Sequence, residues 1–272
     1  MDGNSAGRMP VPAGKADRDS AQVAGLDFDR LTEAQVVEHV IGASLAGEGG
    51  WVATPNIDIC RLIRRHPALR GLVAGASLIV PDGMPVVWAA RLRGQPLPER
   101  VAGGSLIFSL SEAAARHGRS IYLLGGAPGV PQKAAEELSR RYPGLVVTGA
   151  DAPPFGFDGD PHAVEAVRAR LAAAAPDIVY VGLGFPRQER LIARCAPSLP
   201  ASWFLGCGAA IPYAAKVLPR APQWMRRSGL AWAFRLAHEP RHLFKRYVVH
   251  DLPFAVGLLA MSAAERLRRS VR

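Results

Sequence analysis

The chain reads as an α/β protein: a Rossmann-like, mostly parallel sheet with helices on both faces, plus a C-terminal helical appendage. Three observations carry that assignment. Up to about residue 208, short β-branched or apolar runs alternate with longer Ala-rich stretches at helical spacing, the order expected of βαβ units. Beyond residue 218 no strand pattern recurs, and apolar residues repeat at helical spacing with Arg and Lys between them. Charge divides at the same place. Residues 1–215 carry 21 Lys plus Arg and 20 Asp plus Glu, whereas residues 216–272 carry 12 and 3, so the net +10 sits almost wholly on the tail piece.

Taken in order, residues 1–25 are rich in Gly, Pro, Asp and Ala without an apolar stretch and read as a disordered leader rather than a signal peptide. Residues 26–215 form the α/β domain. Its strands are expected at 51–54, 77–80, 120–124, 145–148, 178–181 and 203–206. Helices are expected at 33–46 behind a Thr32 cap, and at 57–66, 85–92, 105–117, 131–142, 161–174 and 188–195. Residues 216–272 form the basic, membrane-associating appendage, with helices at 222–227, 230–237 and about 241–269.

Composition excludes several classes. With 49% hydrophobic residues the chain is no disordered polymer, and three scattered cysteines, Cys60, Cys195 and Cys207, form no disulfide framework or CxxC metal site. They fit a reducing, cytosolic compartment. The seven His fall into no HExxH or comparable ligand pattern, so no metal is expected. Asp27-Phe28-Asp29 and Asp158-Gly159-Asp160 read as solvated caps, and no GxSxG elbow points to a serine hydrolase. The charge-free run 195–215 holds three prolines, and the run 252–264 is too short for a bilayer, which needs roughly 20 apolar residues. The expectation is a protein that touches a membrane without crossing it.

Ligands of open α/β sheets bind at the carboxyl ends of the strands. Five such ends carry turn-forming or polar residues: Thr54-Pro55-Asn56, Pro81-Asp82-Gly83, Gly125-Gly126, Gly182 to Glu189, and Gly206-Cys207-Gly208. Any one of them is ordinary turn chemistry; five on one rim point to a cleft. Asp82, between Pro and Gly, is either a general base projecting into that cleft or a cap for the next helix. Thr54 and Asn56 either orient a hydroxyl beside it or cap the helix at 57. The turn at Gly125 and Gly126 offers backbone N–H groups to phosphate, as does Gly184, but neither completes a GxGxxG fingerprint. A sugar nucleotide would use the same surface, with Gln188 and Glu189 placed to read a base or a sugar hydroxyl.

In their order and spacing these motifs resemble one family. Thr54-Pro55-Asn56, Pro81-Asp82-Gly83, Glu99-Arg100-Val101 with Gly103, Leu124-Gly125-Gly126, Val181 to Glu189, Arg220-Ala221-Pro222, Arg235-Leu236 and Glu239-Pro240 are similar to the WecG/TagA/CpsF glycosyltransferases from about residue 26 to 254. The resemblance implies inverting, metal-independent transfer of a sugar from a UDP-sugar, commonly UDP-N-acetylmannosamine, to a polyprenyl-diphosphate-linked saccharide on the inner membrane face. It implies that Asp82 is the base with Thr54 beside it, that Gln188 lines the pocket, and that appendage arginines reach the diphosphate. UDP-sugar is then a substrate, and no cofactor is expected.

Physical chemistry fits these roles. Without a metal, the departing diphosphate needs Arg, Lys or helix N-termini. Arg supplies a planar fork for its oxygens, and the appendage carries Arg220, Arg226, Arg227, Arg235, Arg241, Lys245 and Arg246, with Arg100 in the body. The chain departs from the family at Ser105, Ile211-Pro212 and Ala231, where acids are usual, and at His242 and Lys245, where Arg is usual. These departures bear on the sugar and acceptor more than on the reaction class. A basic helical tail is also the footprint of a nucleic-acid-binding protein. Its aromatics and the neutral body favour an anionic membrane surface over nucleic acid, and a non-catalytic membrane scaffold is the third alternative. A homo-oligomer is compatible with this reading.

Overall fold

The computed structural model describes residues 19–270. Six strands, β3 (Gly50–Ala53), β4 (Leu78–Ile79), β5 (Ser120–Leu124), β6 (Val146–Asp151), β7 (Ile178–Val181) and β8 (Trp203–Gly206), form one parallel sheet in the order β4-β3-β8-β7-β5-β6. Every residue of β7 and β8 is buried, as a parallel sheet covered on both faces requires. The edge strand β6 is only half buried.

Two cores flank the sheet. One packs α1 (Glu33–Leu45), α5 (Gly103–Arg116), α6 (Val130–Arg141) and α9 (Ala210–Ala214) on Val52, Leu123, Tyr180 and Leu205. The other packs α2 (Ile57–Arg65), α3 (Arg70–Ala74), α4 (Met84–Leu92), α7 (Pro161–Ala174) and α8 (Arg187–Cys195) on Trp51, Leu124, Val181 and Phe204. Thr32 caps α1 through the Gln35 N–H, as the sequence led us to expect, and the Gln35 side chain returns the bond in a capping box. Adjacent strands β3 and β8 lead to helices on opposite faces, α2 and α9. That reversal opens a crevice at their carboxyl ends.

Two expectations are corrected. The supposed leader is structured in its last part: β1 (Ser20–Val23) pairs antiparallel with β2 (Leu26–Asp29), and Ala21 and Val23 are buried. Its earlier part, residues 1–18, lies outside the described residues. Asp27-Phe28-Asp29 is strand rather than solvated cap, because Asp29 is buried and its Oδ2 accepts the Ile79 N–H at 2.7 Å, fastening the hairpin to β4. Asp160 does cap α7, accepting the His162 N–H. All three cysteines are free and buried, and burial pushes the thiols up to about 12, 11 and 12 for Cys60, Cys195 and Cys207.

The C-terminal region contains α10 (Gln223–Arg227), α11 (Ala231–His238) and α12 (Pro240–Phe244), then a π-helical turn at Lys245–Asp251 and the long α13 (Leu252–Ser270). Asp251, Ala255, Leu258 and Ser262 are buried at helical spacing along one face of this last rod. An Arg93–Glu265 ion pair at 2.6 Å ties α13 to the end of α4. The sequence put the apolar run at 252–264, too short for a bilayer. The helix is longer: Lys245–Arg268 spans 24 residues, an 18-residue window within it has a mean hydropathy of 1.4, and it could cross a membrane by length and composition alone.

Candidate active site

Backbone hydrogen bonds clasp three of the sequence motifs together beside the crevice. The Asp82 N–H donates to the Pro55 carbonyl at 3.1 Å, and the Val101 N–H donates to the Pro81 carbonyl at 2.9 Å. Thr54, at the end of β3, donates its hydroxyl to the Gly206 carbonyl at 3.2 Å, bridging the strands whose connections diverge. Asp82 does not cap α4: Gly83 occupies the cap position and no side chain bonds there. The Asp82 carboxylate instead accepts from Arg100 Nη1 at 3.3 Å, and 29% of its side chain stays exposed.

Asp82 is therefore enclosed by protein but open on one side. Desolvation raises its pKa above the ordinary carboxylate range, and the charges of Arg100, Arg235 and Arg246 oppose that rise. Two of those three cations come from the appendage, from α11 and the π-helical turn. Arg235 also lies over the Tyr213 ring, 5.9 Å from its centre, and pairs with Glu239 at 3.6 Å. Tyr213, pushed up to about 12 by burial, and Tyr247 stand in the same field. Arg220 is placed differently, over Phe108 at 4.5 Å. Burial and the neighbouring Arg226 lower it to about 10. Arg241 and Lys245 are exposed on the appendage.

Opposite lies the glycine-rich part of the rim. Gly125 adopts φ +114°, and a Cβ there would meet the Gly182 carbonyl oxygen at 2.6 Å, so the ends of β5 and β7 approach as only glycine allows. Its N–H donates to the Asp151 carbonyl, so Gly125 supplies close approach rather than the phosphate donor expected of it. The open backbone donors belong to helix starts. α4, α5, α6 and α8 all begin at this rim with no side-chain cap. Gly126 and Gly184, both at positive φ, shape the turns before α6 and α8.

Several predicted site residues are engaged by the protein itself. Asn56 caps α2, accepting the Ile59 N–H at 3.1 Å. Gln188 is buried, its Oε1 accepting the N–H groups of Gly184 and Gly208, both at 3.2 Å, and its Nε2 donating to Glu189 at 2.8 Å. It braces the β7 and β8 loops. Glu189 is also buried, and desolvation pushes it up to about 7.

Other contacts were not foreseen. Ser105 donates to Glu33 of α1 at 2.5 Å, and Ser109 donates to the other Glu33 oxygen at 2.8 Å. A carboxylate thus stands against this position from a different element. Tyr213 and Tyr247 were missed because nothing in their local sequence distinguishes them from core aromatics. Among the described residues no group of three or more His, Cys, Asp or Glu could hold a metal ion.

A parallel sheet with a carboxylate and nearby arginines at its crevice is a frame suited to an anionic ligand. The model of the "Glycosyl transferase WecG/TagA/CpsF family" matches residues 21–269, so the chain belongs to this glycosyltransferase family. It is 30% identical over 216 residues to the N-acetylglucosaminyldiphosphoundecaprenol N-acetyl-beta-D-mannosaminyltransferase of Bacillus spizizenii, covering 79% of this chain and 82% of the relative. It is likewise 30% identical to the enzyme of that name from Staphylococcus aureus, covering 78% and 82%.

Proposed function

We propose that this glycosyltransferase moves N-acetylmannosamine, or a related hexose or uronic acid, from a UDP-sugar to a polyprenyl-diphosphate-linked saccharide, with inversion and without a metal. The observation that carries this reading is Asp82: a carboxylate with a raised pKa, partly open to the cleft, within the field of three arginines drawn from two regions of the chain. Asp82 takes the proton from the acceptor hydroxyl, whose oxygen bonds to the anomeric carbon as the bond to UDP breaks. Charge builds on the departing diphosphate, where Arg100, Arg235, Arg246 and the uncapped helix starts stabilise it. Thr54 fixes the crevice beside the base. The names of the two relatives support the acceptor, a diphosphoundecaprenol-linked sugar.

A polyprenyl acceptor is held in a membrane, and the appendage is suited to reach it. Trp224, Trp232, Phe244, Val249, Leu252, Val256 and Leu267 are exposed there beside Arg241 and Lys245. Because Asp251, Ala255, Leu258 and Ser262 pack on the body, we read the last helix as lying on the inner face of the cell membrane rather than crossing it. The deciding experiment incubates the protein with a panel of UDP-sugars and a prenyl-diphosphate-linked N-acetylglucosamine acceptor, in chelator, and reads products by mass spectrometry. Extension of the acceptor by one sugar, with UDP released, is the expected result. No product with any donor, or product only after metal is restored, overturns the reading in whole or in its metal-independent part.

A further inference from the structure

The joint between body and appendage is a closed ring of four charges. Arg61 of α2 donates from Nε to Asp251 Oδ1 at 3.1 Å and from Nη2 to Asp58 Oδ1 at 2.5 Å. Arg246 completes the ring, with Nη2 2.9 Å from Asp58 Oδ2 and Nε 3.7 Å from Asp251 Oδ2. Each carboxylate meets both guanidinium groups, so the formal charges cancel. Three members of the ring are largely removed from water, with the Asp251, Asp58 and Arg61 side chains 6%, 13% and 16% exposed, while Arg246 is 37% exposed. Removing one member of such a set leaves a partner charged and desolvated, which is far more disruptive than loss of a surface pair.

Local backbone geometry makes the ring attainable. Arg246 and Asp251 are five residues apart, and in an unbroken α-helix they would diverge by roughly 140°. Lys245–Asp251 is instead π-helical, with the Leu252 N–H donating to the Tyr247 carbonyl. Bonding between residues i and i+5 stacks positions five apart, and such turns recur at functional sites. The π turn thus lets one segment offer both an Arg and an Asp to α2. The charge of Arg246 also acts on Asp82.

We propose that Asp58, Arg61 and Asp251 are positioning residues: a latch that seats the appendage on α2 and holds Arg246 toward the catalytic cleft. The catalytic part of this proposal rests on the role given above to Arg246; the docking part does not. A double-mutant cycle tests the first part. Asp58→Asn and Asp251→Asn each lower kcat/KM about tenfold in the native background, and less than about twofold when Arg246→Ala is already present, because they act through that side chain. Asp251→Glu, which keeps the charge, restores most of the loss. Full losses in both backgrounds overturn the positioning role.

Hydrogen exchange on the full-length variants tests the second part without substrate. The amides of 245–256 exchange faster in Asp58→Asn and Asp251→Asn, while those of β5 and β7 are unchanged. Native protection of the π turn in both variants overturns the latch. If the native protein transfers no sugar, the proposed function fails and the exchange measurement still decides the docking.

Discussion

The α/β body and the C-terminal region are held by different forces. In the body, each long helix buries a continuous apolar face in one of two cores, and ion pairs such as Arg119–Asp177 sit at the margins. In the appendage the balance is reversed. α11 buries no residue, α13 contributes Phe254, Ala255, Leu258 and Leu259 to its contact with the body, and charged groups, Arg61, Arg246, Asp58, Asp251 and the Arg93–Glu265 pair, join the two. Large apolar side chains that would form a core elsewhere, Trp224, Trp232, Phe244 and Val256 among them, remain exposed. The difference teaches that the body satisfies its apolar surface within the chain, whereas the appendage leaves a large part of its own uncovered.

The comparison breaks most completely under truncation. Deleting the chain after Leu218 should leave a folded body, since both cores come almost wholly from earlier residues, yet abolish sedimentation with anionic liposomes and all turnover. A soluble, active truncation would show the appendage to be dispensable. Next in size is Asp82→Asn, which should lower kcat by about a thousandfold, within the range of a lost general base, with UDP-sugar affinity near native by calorimetry. Replacing Arg241 and Lys245 together by Ala should weaken partition onto anionic vesicles by about thirtyfold, at about 1 kcal/mol for each cation, and leave vesicle binding less sensitive to salt.

The smallest effect sharpens the electrostatic link. Arg100 holds the Asp82 pKa down, so Arg100→Gln raises it further. A base must be ionised to act, and activity lost on acidification should therefore be lost at a higher pH in the variant. An acid limb of kcat/KM that stays in place, or moves to lower pH, would mean that Arg100 does not tune the base.

Much of the body was legible because buried parallel strands announce themselves. Ile178-Val179-Tyr180-Val181 and Trp203-Phe204-Leu205-Gly206 are apolar runs between turn residues, and both strands fall where the pattern put them. The hairpin was missed because Ser20–Val23 and Leu26–Asp29 are four-residue alternations next to a polar segment, too short for periodicity to register. Asp82 was open in the sequence between a base and a cap for the next helix, and the structure removes the cap. Asn56 and Gln188 were ambiguous as well, since the groups that could bind a sugar also satisfy backbone donors. The Asp58–Arg61–Asp251 cluster was out of reach, because its members meet only after the appendage folds back across 190 positions of chain.

The three native thiols lend themselves to a different use. Cys60, Cys195 and Cys207 are buried and held far from ionisation at neutral pH, so thiol-directed reagents should pass over them in the folded protein. A single cysteine introduced at Val249, which is 53% exposed on the appendage, would then be the only reactive site. A polarity-sensitive dye attached there would report, without further engineering, how deeply this surface enters a bilayer and whether it does so before substrate arrives.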